Sequence, residues 1–203
     1  MRLFSELYPR IIPRTPGAPE PLVRRECALA AQALCDQTHC WVEWLEPVNA
    51  IAGLDTYDIE APQGSQAVLV TGATVDGRDC ALASWRAYTT DPADATGRAV
   101  IPTSHLEFQI GAQVAPGSLI KLRAVLTPTE EANGVPDKVM ALYGQAIADG
   151  AIASLMMMPG QPFSDLQTAG LHMARFNAVV DRAHTREWRS RTNLTPRLRL
   201  TWC

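Results

Sequence analysis

Four histidines, a knot of carboxylates and a run of arginines are the side chains of this 203-residue chain most able to do chemistry. His172 and His184 fall in one helical stretch twelve residues apart, more than three turns, so they cannot share a metal ion. No HExxH motif occurs, His39 and His105 stand alone, and both helical histidines are expected on a helix surface. Asp55, Asp58 and Glu60 gather around Tyr57. Paired carboxylates can transfer protons or hold calcium, but the acidic, glycine-centred calcium loop is absent. Alternation along a solvated strand accounts for their spacing. The five cysteines, Cys27, Cys35, Cys40, Cys80 and Cys203, are odd in number and contain no CxxC pair, which predicts neither a disulfide framework nor a zinc site. A nucleophile elbow (GxSxG), a Walker A loop and GxGxxG are all missing. The expectation is a protein with no catalytic, cofactor-binding or metal-binding residues, and not an enzyme.

The arginines are more suggestive. Arg175, Arg182, Arg186 and Arg189 are spaced by seven, four and three residues, so they make one basic helix face, continued by Arg191, Arg197 and Arg199. Such a face could meet phosphates. Only Trp188 and Trp202 lie among them, which does not favour stacking on single strands. Residues 41–160 hold six Lys/Arg against fourteen Asp/Glu, whereas residues 161–203 hold seven Arg against three acids. An acidic middle and a basic end could stack head to tail on charged neighbours. A solvated helix that ends in arginines, as its dipole prefers, would give the same asymmetry. The run Met156–Met158 reads as a helix end packed into core, or as an adaptable surface.

The hydrophobic share, 47%, suits an ordinary globular core in one domain. No apolar run nears the roughly 20 residues that cross a bilayer. The start, MRLFSELYPRIIPR, lacks a signal-peptide core, so cytosolic synthesis is expected. Pro9, Pro13, Pro16 and Pro19 predict a non-helical arm with apolar Phe4, Leu7, Tyr8, Ile11 and Ile12. A first helix from Glu20 to about residues 36–38 carries Val23, Cys27, Ala30, Ala31 and Leu34 on one stripe. The period then becomes that of strands: around Trp41–Trp44, around Tyr57 and Ile59, a hairpin over 68–83 turning at Asp76-Gly77, then HLEFQI and SLIKLRAVL flanking a turn at 111–117, with a long loop over 86–104. A second helix follows Pro136 with small residues Ala146, Gly150, Ala151 and Ala153. A third starts at Ser164, with a Ser164/Gln167 capping box, and runs to about Trp188 with Leu166, Ala169, Met173, Phe176, Val180 and Ala183 on one face. The tail alternates Leu198, Leu200 and Trp202 with Arg197, Arg199 and Thr201 as a strand would.

The predicted fold class is α+β: a three-helix core with an antiparallel β insertion between the first and second helices, a long C-terminal helix and an extended C-terminal tail. The predicted segments are an arm and first helix (1–38), the β insertion (39–130), a helical hairpin (131–191) and the tail (192–203).

The stretch 134–188, GVPDKVMALYGQAIADGAIASLMMMPGQPFSDLQTAGLHMARFNAVVDRAHTREW, resembles the paired helices at the C-terminal end of tailed-bacteriophage head-to-tail adaptor (connector) proteins. RRECALAAQALCDQTHCWVEWLEP looks like the first adaptor helix running into a strand, and LDTYDIEAP like the next strand, so the similarity covers roughly residues 20–190. Each motif alone is weak; their order and spacing carry the resemblance. It implies a structural virion protein of the neck, made in the host cytoplasm and assembled as a ring, usually a dodecamer, under the portal. The implied partners are the portal protein, a downstream tail or nozzle protein and further copies of the chain, with DNA only as passing cargo and no membrane. In that family the C-terminal tail commonly engages the portal, which makes Arg189, Arg191, Arg197, Leu198, Arg199, Leu200 and Trp202 the expected contact residues. The tail itself, TNLTPRLRLTWC, departs from the family's pattern. A tail-completion or other neck or tail-ring subunit is the alternative, and an enzyme with an unrecognised site is the reading from another class.

Overall fold

A computed structural model describes residues 1–80, 82, 100–111 and 114–192, with side chains described as far as Arg186. Residues 4–14 are helical where a non-helical arm was expected. A 3-10 turn over Phe4–Leu7 leads into α1 (Tyr8–Ile11) and a second 3-10 turn over Ile12–Arg14. Pro9 and Pro13 stand in the first turns of the last two, where the missing N–H costs no hydrogen bond. Phe4, Leu7 and Ile11 are buried. Ahead of them β1 (Arg2–Leu3) pairs antiparallel with β10 (Gly134–Val135). A side chain at 134 would put its Cβ 2.0 Å from the Arg2 carbonyl oxygen, so the close strand pair requires glycine there.

Helix α2 (Glu20–Thr38) buries the expected stripe of Val23, Cys27, Ala30, Ala31 and Leu34. It ends at His39, whose left-handed backbone (φ 52°) lets its N–H reach the Cys35 carbonyl. A five-stranded antiparallel sheet follows. Its middle strand β9 (Leu119–Pro128) is flanked on one side by β2 (Val42–Trp44) and β3 (Val48–Asn49), and on the other by β5 (Ser65–Val75), which hairpins into β6 (Arg78–Cys80). Asp76 and Gly77 both have positive φ, as their tight hairpin turn demands. The Asp76 carboxylate accepts the Leu119 N–H at 2.8 Å, and that bond holds its pKa below the usual value. Two register shifts in β5, between Ala67 and Leu69 and between Val70 and Gly72, accompany the curl of this sheet into a half-barrel. A separate three-stranded sheet orders β4 (Thr56–Asp58), β8 (Glu107–Ile110) and β7 (Val100–Pro102).

Helix α3 (Asp137–Met156) is the central helix, with fourteen buried residues. By length and composition it could cross a membrane, contrary to the expectation that no apolar stretch approached that length. Most of it is buried inside the fold, as in the core helix of a globular protein. Helix α4 (Leu166–Thr192) packs back along it. Gly150 marks the tightest meeting: a Cβ there would lie 2.9 Å from Ala30 of α2 and 3.1 Å from the Phe176 ring of α4. Asp165, one residue later than expected, caps α4. Its carboxylate takes the Thr168 hydroxyl and the N–H groups of Thr168 and Gln167, which together depress its pKa. Ser164 instead donates to the Met158 carbonyl across the preceding turn.

The predicted architecture, a three-helix core with one β insertion, is therefore corrected to a mixed α/β fold with, among the described residues, four helices and three antiparallel sheets. One sheet joins the extreme N-terminus to residues 134–135, beyond the 39–130 segment, and so cannot belong to an insertion. Strands β8 and β9, read as neighbours across a turn, lie in different sheets. Nor is the sheet an appendage: β9 packs on α2, and the Thr127 hydroxyl donates to the Gln32 carbonyl of that helix. Buried side chains from helices and from the two larger sheets join a single apolar cluster.

Candidate assembly surfaces

The pairing closest to an enzyme's is Asp149 with His172. The imidazole Nδ1 lies 2.7 Å from Asp149 Oδ1, and the two residues are only 5% and 4% exposed. His172, expected on a helix surface, is thus buried; His184 is exposed. The apolar stripe of α4 runs Ala169, Met173, Phe176, and residue 172 sits beside it against α3, where a polar ring needs a partner. Asp149 supplies one. Its second oxygen accepts the Gln145 amide at 3.2 Å, and Gln145 in turn accepts a hydrogen bond from the Arg10 guanidinium at 2.8 Å. The network ties α1, α3 and α4 together. Its carboxylate and imidazole are closed to any substrate, so the geometry is that of a strut.

The remaining reactive side chains do not converge. Cys27 is fully buried among apolar groups, and burial pushes its thiol up to about 12. Cys35 and Cys40 hold their sulfurs 3.9 Å apart across the end of α2, and the thiol of Cys35 is raised by that contact and by burial. Glu26 is buried, which raises its pKa, while a bond to Ser154 opposes the rise. Among the described residues no three His, Cys, Asp or Glu lie close enough to hold a metal ion.

Surface features are more pronounced. Asp58 and Glu107 are directly opposite one another on β4 and β8, both exposed, with Glu60 two residues along the chain. Directly opposed like charges on one sheet face cost about 0.2–1 kcal/mol. The expected solvated acidic face is therefore real, and it is wider than the sequence showed, because Glu107 joins it only through strand register. Beside it stand Ile51 and Leu54, 59% and 42% exposed, and Leu106, 54% exposed. These three are held in place. The Tyr57 hydroxyl accepts the Ile51 N–H and donates to the Leu54 carbonyl, while the Leu106 N–H donates to Ser104 and its carbonyl accepts the Ile59 N–H. Tyr57 is itself stacked on Phe108, with ring centres 5.4 Å apart.

The exposed face of the five-stranded sheet has the opposite character. Trp44 pairs across the strands with Arg123, and the Lys121 ammonium lies 5.9 Å from the Trp44 ring. Trp44 is 46% exposed and Leu119, on the same face of β9, 44%. No sequence spacing announced this trio, since Trp44 and Lys121 meet only through the β2–β9 register.

The basic face read from the sequence is placed in part. Arg175, Arg182 and Arg186 are exposed on α4, and Asp181, Arg182, Thr185 and Arg186 line an open surface hollow there. The backbone of Arg189 and Arg191 continues α4. Their side chains, and all of Arg197, Leu198, Arg199, Leu200 and Trp202, lie outside the described residues. Of the three methionines, Met156 is buried, Met158 half-buried and Met157 43% exposed, so the helix end packs into core with only Met157 left outward. No protein-family model matches the chain, and no curated protein sequence matches it.

Proposed function

We propose that this protein is a ring-forming structural subunit of a tailed-phage neck, the head-to-tail adaptor, lying between portal and tail and extending the channel for DNA. The observation that carries the reading is α4. This helix of 27 residues, about 40 Å long at 1.5 Å per residue, buries Ala183 against the body, and the described side chains beyond it, His184 to Arg186, are all exposed. A helix that exposes its described side chains after Ala183, and whose sequence continues with further arginines, is suited to meet another molecule. The order of elements, α2 into strands and then a helical hairpin joined through MPGQPFSD, supports the same reading through the resemblance noted above. The one buried His–carboxylate pair acts as a strut, so it lends no support to an enzyme.

The test is the mass of the purified protein, alone and mixed with portal rings of the same virus, for the full chain and for a chain lacking residues 192–203. The expected result is a small species alone, a ring of about twelve copies on the portal, and loss of attachment on truncation with the far-ultraviolet circular dichroism of the body unchanged. Rings of six copies would point to a tail-ring subunit instead. A protein that ignores the portal would overturn the proposal, and normal attachment of the truncated chain would overturn the role of the tail.

A further inference from the structure

The two unlike faces of the β region are complementary to one another. Both larger sheets bury one side in the same apolar cluster, through Tyr57, Phe108 and Val100 on one and Ile120, Leu122 and Ala124 on the other. Their exposed sides are therefore two separate surfaces of the chain. One presents Trp44, Lys121 and Arg123 with Leu119; the other presents Asp58, Glu60 and Glu107 beside Leu54 and Leu106. None of these five charges has an ion-pair partner among the described residues. The chain is strongly acidic between residues 41 and 160, with six Lys/Arg against fourteen Asp/Glu, yet two of the six cations flank one exposed tryptophan.

We infer that the basic, tryptophan-centred face of the five-stranded sheet docks on the acidic, leucine-rimmed face of the three-stranded sheet of a second copy of this chain. The contact sets Lys121 and Arg123 against Asp58 and Glu107, relieving the opposition of two carboxylates that no cation among the described residues pairs with. Trp44 and Leu119 bring exposed apolar area to the contact, Leu54 and Leu106 lie at the edge of the acidic face, and the charges set register and partner. Two different faces of one chain make a heterologous contact, which propagates from copy to copy and closes as a ring when the rotation allows. The pinning of Leu54 and Leu106 by Tyr57 and Ser104 matters here, because surfaces already fixed in the free chain lose little entropy on docking. This inference rests on the ring reading above and supplies it with a contact between subunits.

Charge reversal tests it, because all four charged positions are exposed and their replacement leaves the core untouched. Self-association of the free chain is measured by sedimentation velocity over a concentration series, and copies bound per portal ring by native mass spectrometry. Lys121→Glu with Arg123→Glu should weaken association by about tenfold or more, as should Asp58→Lys with Glu107→Lys. The chain carrying all four replacements should recover it, since the faces are again opposite in sign. Reversals that leave both free association and ring copy number at wild-type values overturn this contact while the adaptor reading stands. A wild-type chain that associates in solution with this charge dependence but ignores the portal upholds the contact and overturns the adaptor. If the basic face instead retains duplex DNA, and its reversal abolishes that retention while association is unchanged, the face serves nucleic acid and the inference fails. A wild-type chain that associates neither alone nor on the portal removes both.

Discussion

Three glycines in the helices should respond to alanine with different signs, because their surroundings differ. An alanine in a helix interior is favoured over glycine by about 0.8–1 kcal/mol when nothing obstructs its methyl group. Gly170 is exposed on α4 with no atom within 4 Å of its would-be Cβ, so Gly170→Ala should stabilise by about that amount. At Gly150 the new Cβ would stand 2.9 Å from the Ala30 Cβ, which cannot move without α2, and 3.1 and 3.3 Å from two carbons of the Phe176 ring. Overpacking of this kind costs about 1–3 kcal/mol. Set against the propensity gain, Gly150→Ala should destabilise by up to about 2 kcal/mol. Gly144 is the intermediate case: its nearest neighbour, at 3.1 Å, is the sulfur of Met140, the far end of a flexible side chain that can swing away. The assay is urea unfolding followed by circular dichroism, with the slope compared across variants so that only midpoint shifts at constant slope are read as stability. A separation of about 1–3 kcal/mol between Gly170→Ala and Gly150→Ala corresponds to roughly 2–12 °C in melting temperature for a chain of this size. If Gly150→Ala raises the midpoint as Gly170→Ala does, the three helices do not approach as closely as described, and the packing argument for α4 fails with it.

Asp149→Ala should cost about 1–3 kcal/mol, because it leaves a buried imidazole without its hydrogen-bond partner, whereas Asp149→Asn, which keeps the shape and one acceptor, should cost less; equal midpoints for Asp149→Ala and wild type would show that the network is not a strut. Glu26 gives a pH dependence. Burial raises its carboxyl pKa in the folded state above the usual 4.5, so the folded chain binds this proton more readily than the unfolded one. The penalty for the buried charge is then fully present above the folded-state pKa and disappears as pH falls through it to the unfolded value. Glu26→Gln should therefore raise the urea midpoint at pH 7, with the advantage shrinking towards pH 4; an advantage independent of pH would place its cause elsewhere.

What was legible in the sequence is local. Helix α2, the Asp76-Gly77 hairpin and the helices α3 and α4 follow from apolar spacing and turn chemistry within a single window, and their observed limits fall within a few residues of the reading. What was not legible depends on partners far along the chain. Two-residue strands at Arg2–Leu3 and Gly134–Val135 have no period to detect, and the need for glycine at 134 appears only once Arg2 lies across it. The prolines near the N-terminus argued against helix because their position within a turn was unknown, yet at a first turn they are harmless. His172 looked solvent-facing because imidazole is polar, and its burial depends on Asp149, 23 residues earlier. The opposed surfaces were hidden for the same reason: Glu107 reaches Asp58, and Lys121 reaches Trp44, only through register.

The C-terminal part of α4 bears most directly on what the fold is for. Helices in globular proteins owe most of their stability to an apolar face packed on something, and short isolated helices are marginal in water. Ala183 is buried, and the helix backbone continues to Thr192 through a sequence, HTREWRSRT, with one large apolar residue. These residues are propagated from a packed segment, so no nucleation cost opposes them, and the described side chains among them, His184 to Arg186, are exposed. An exposed helical segment that carries arginines gains from a partner of opposite charge that packs on it. Under the neck-subunit proposal the portal is that partner, and the β faces, with Trp44 and Leu119 on one and the opposed carboxylates on the other, are where copies would meet.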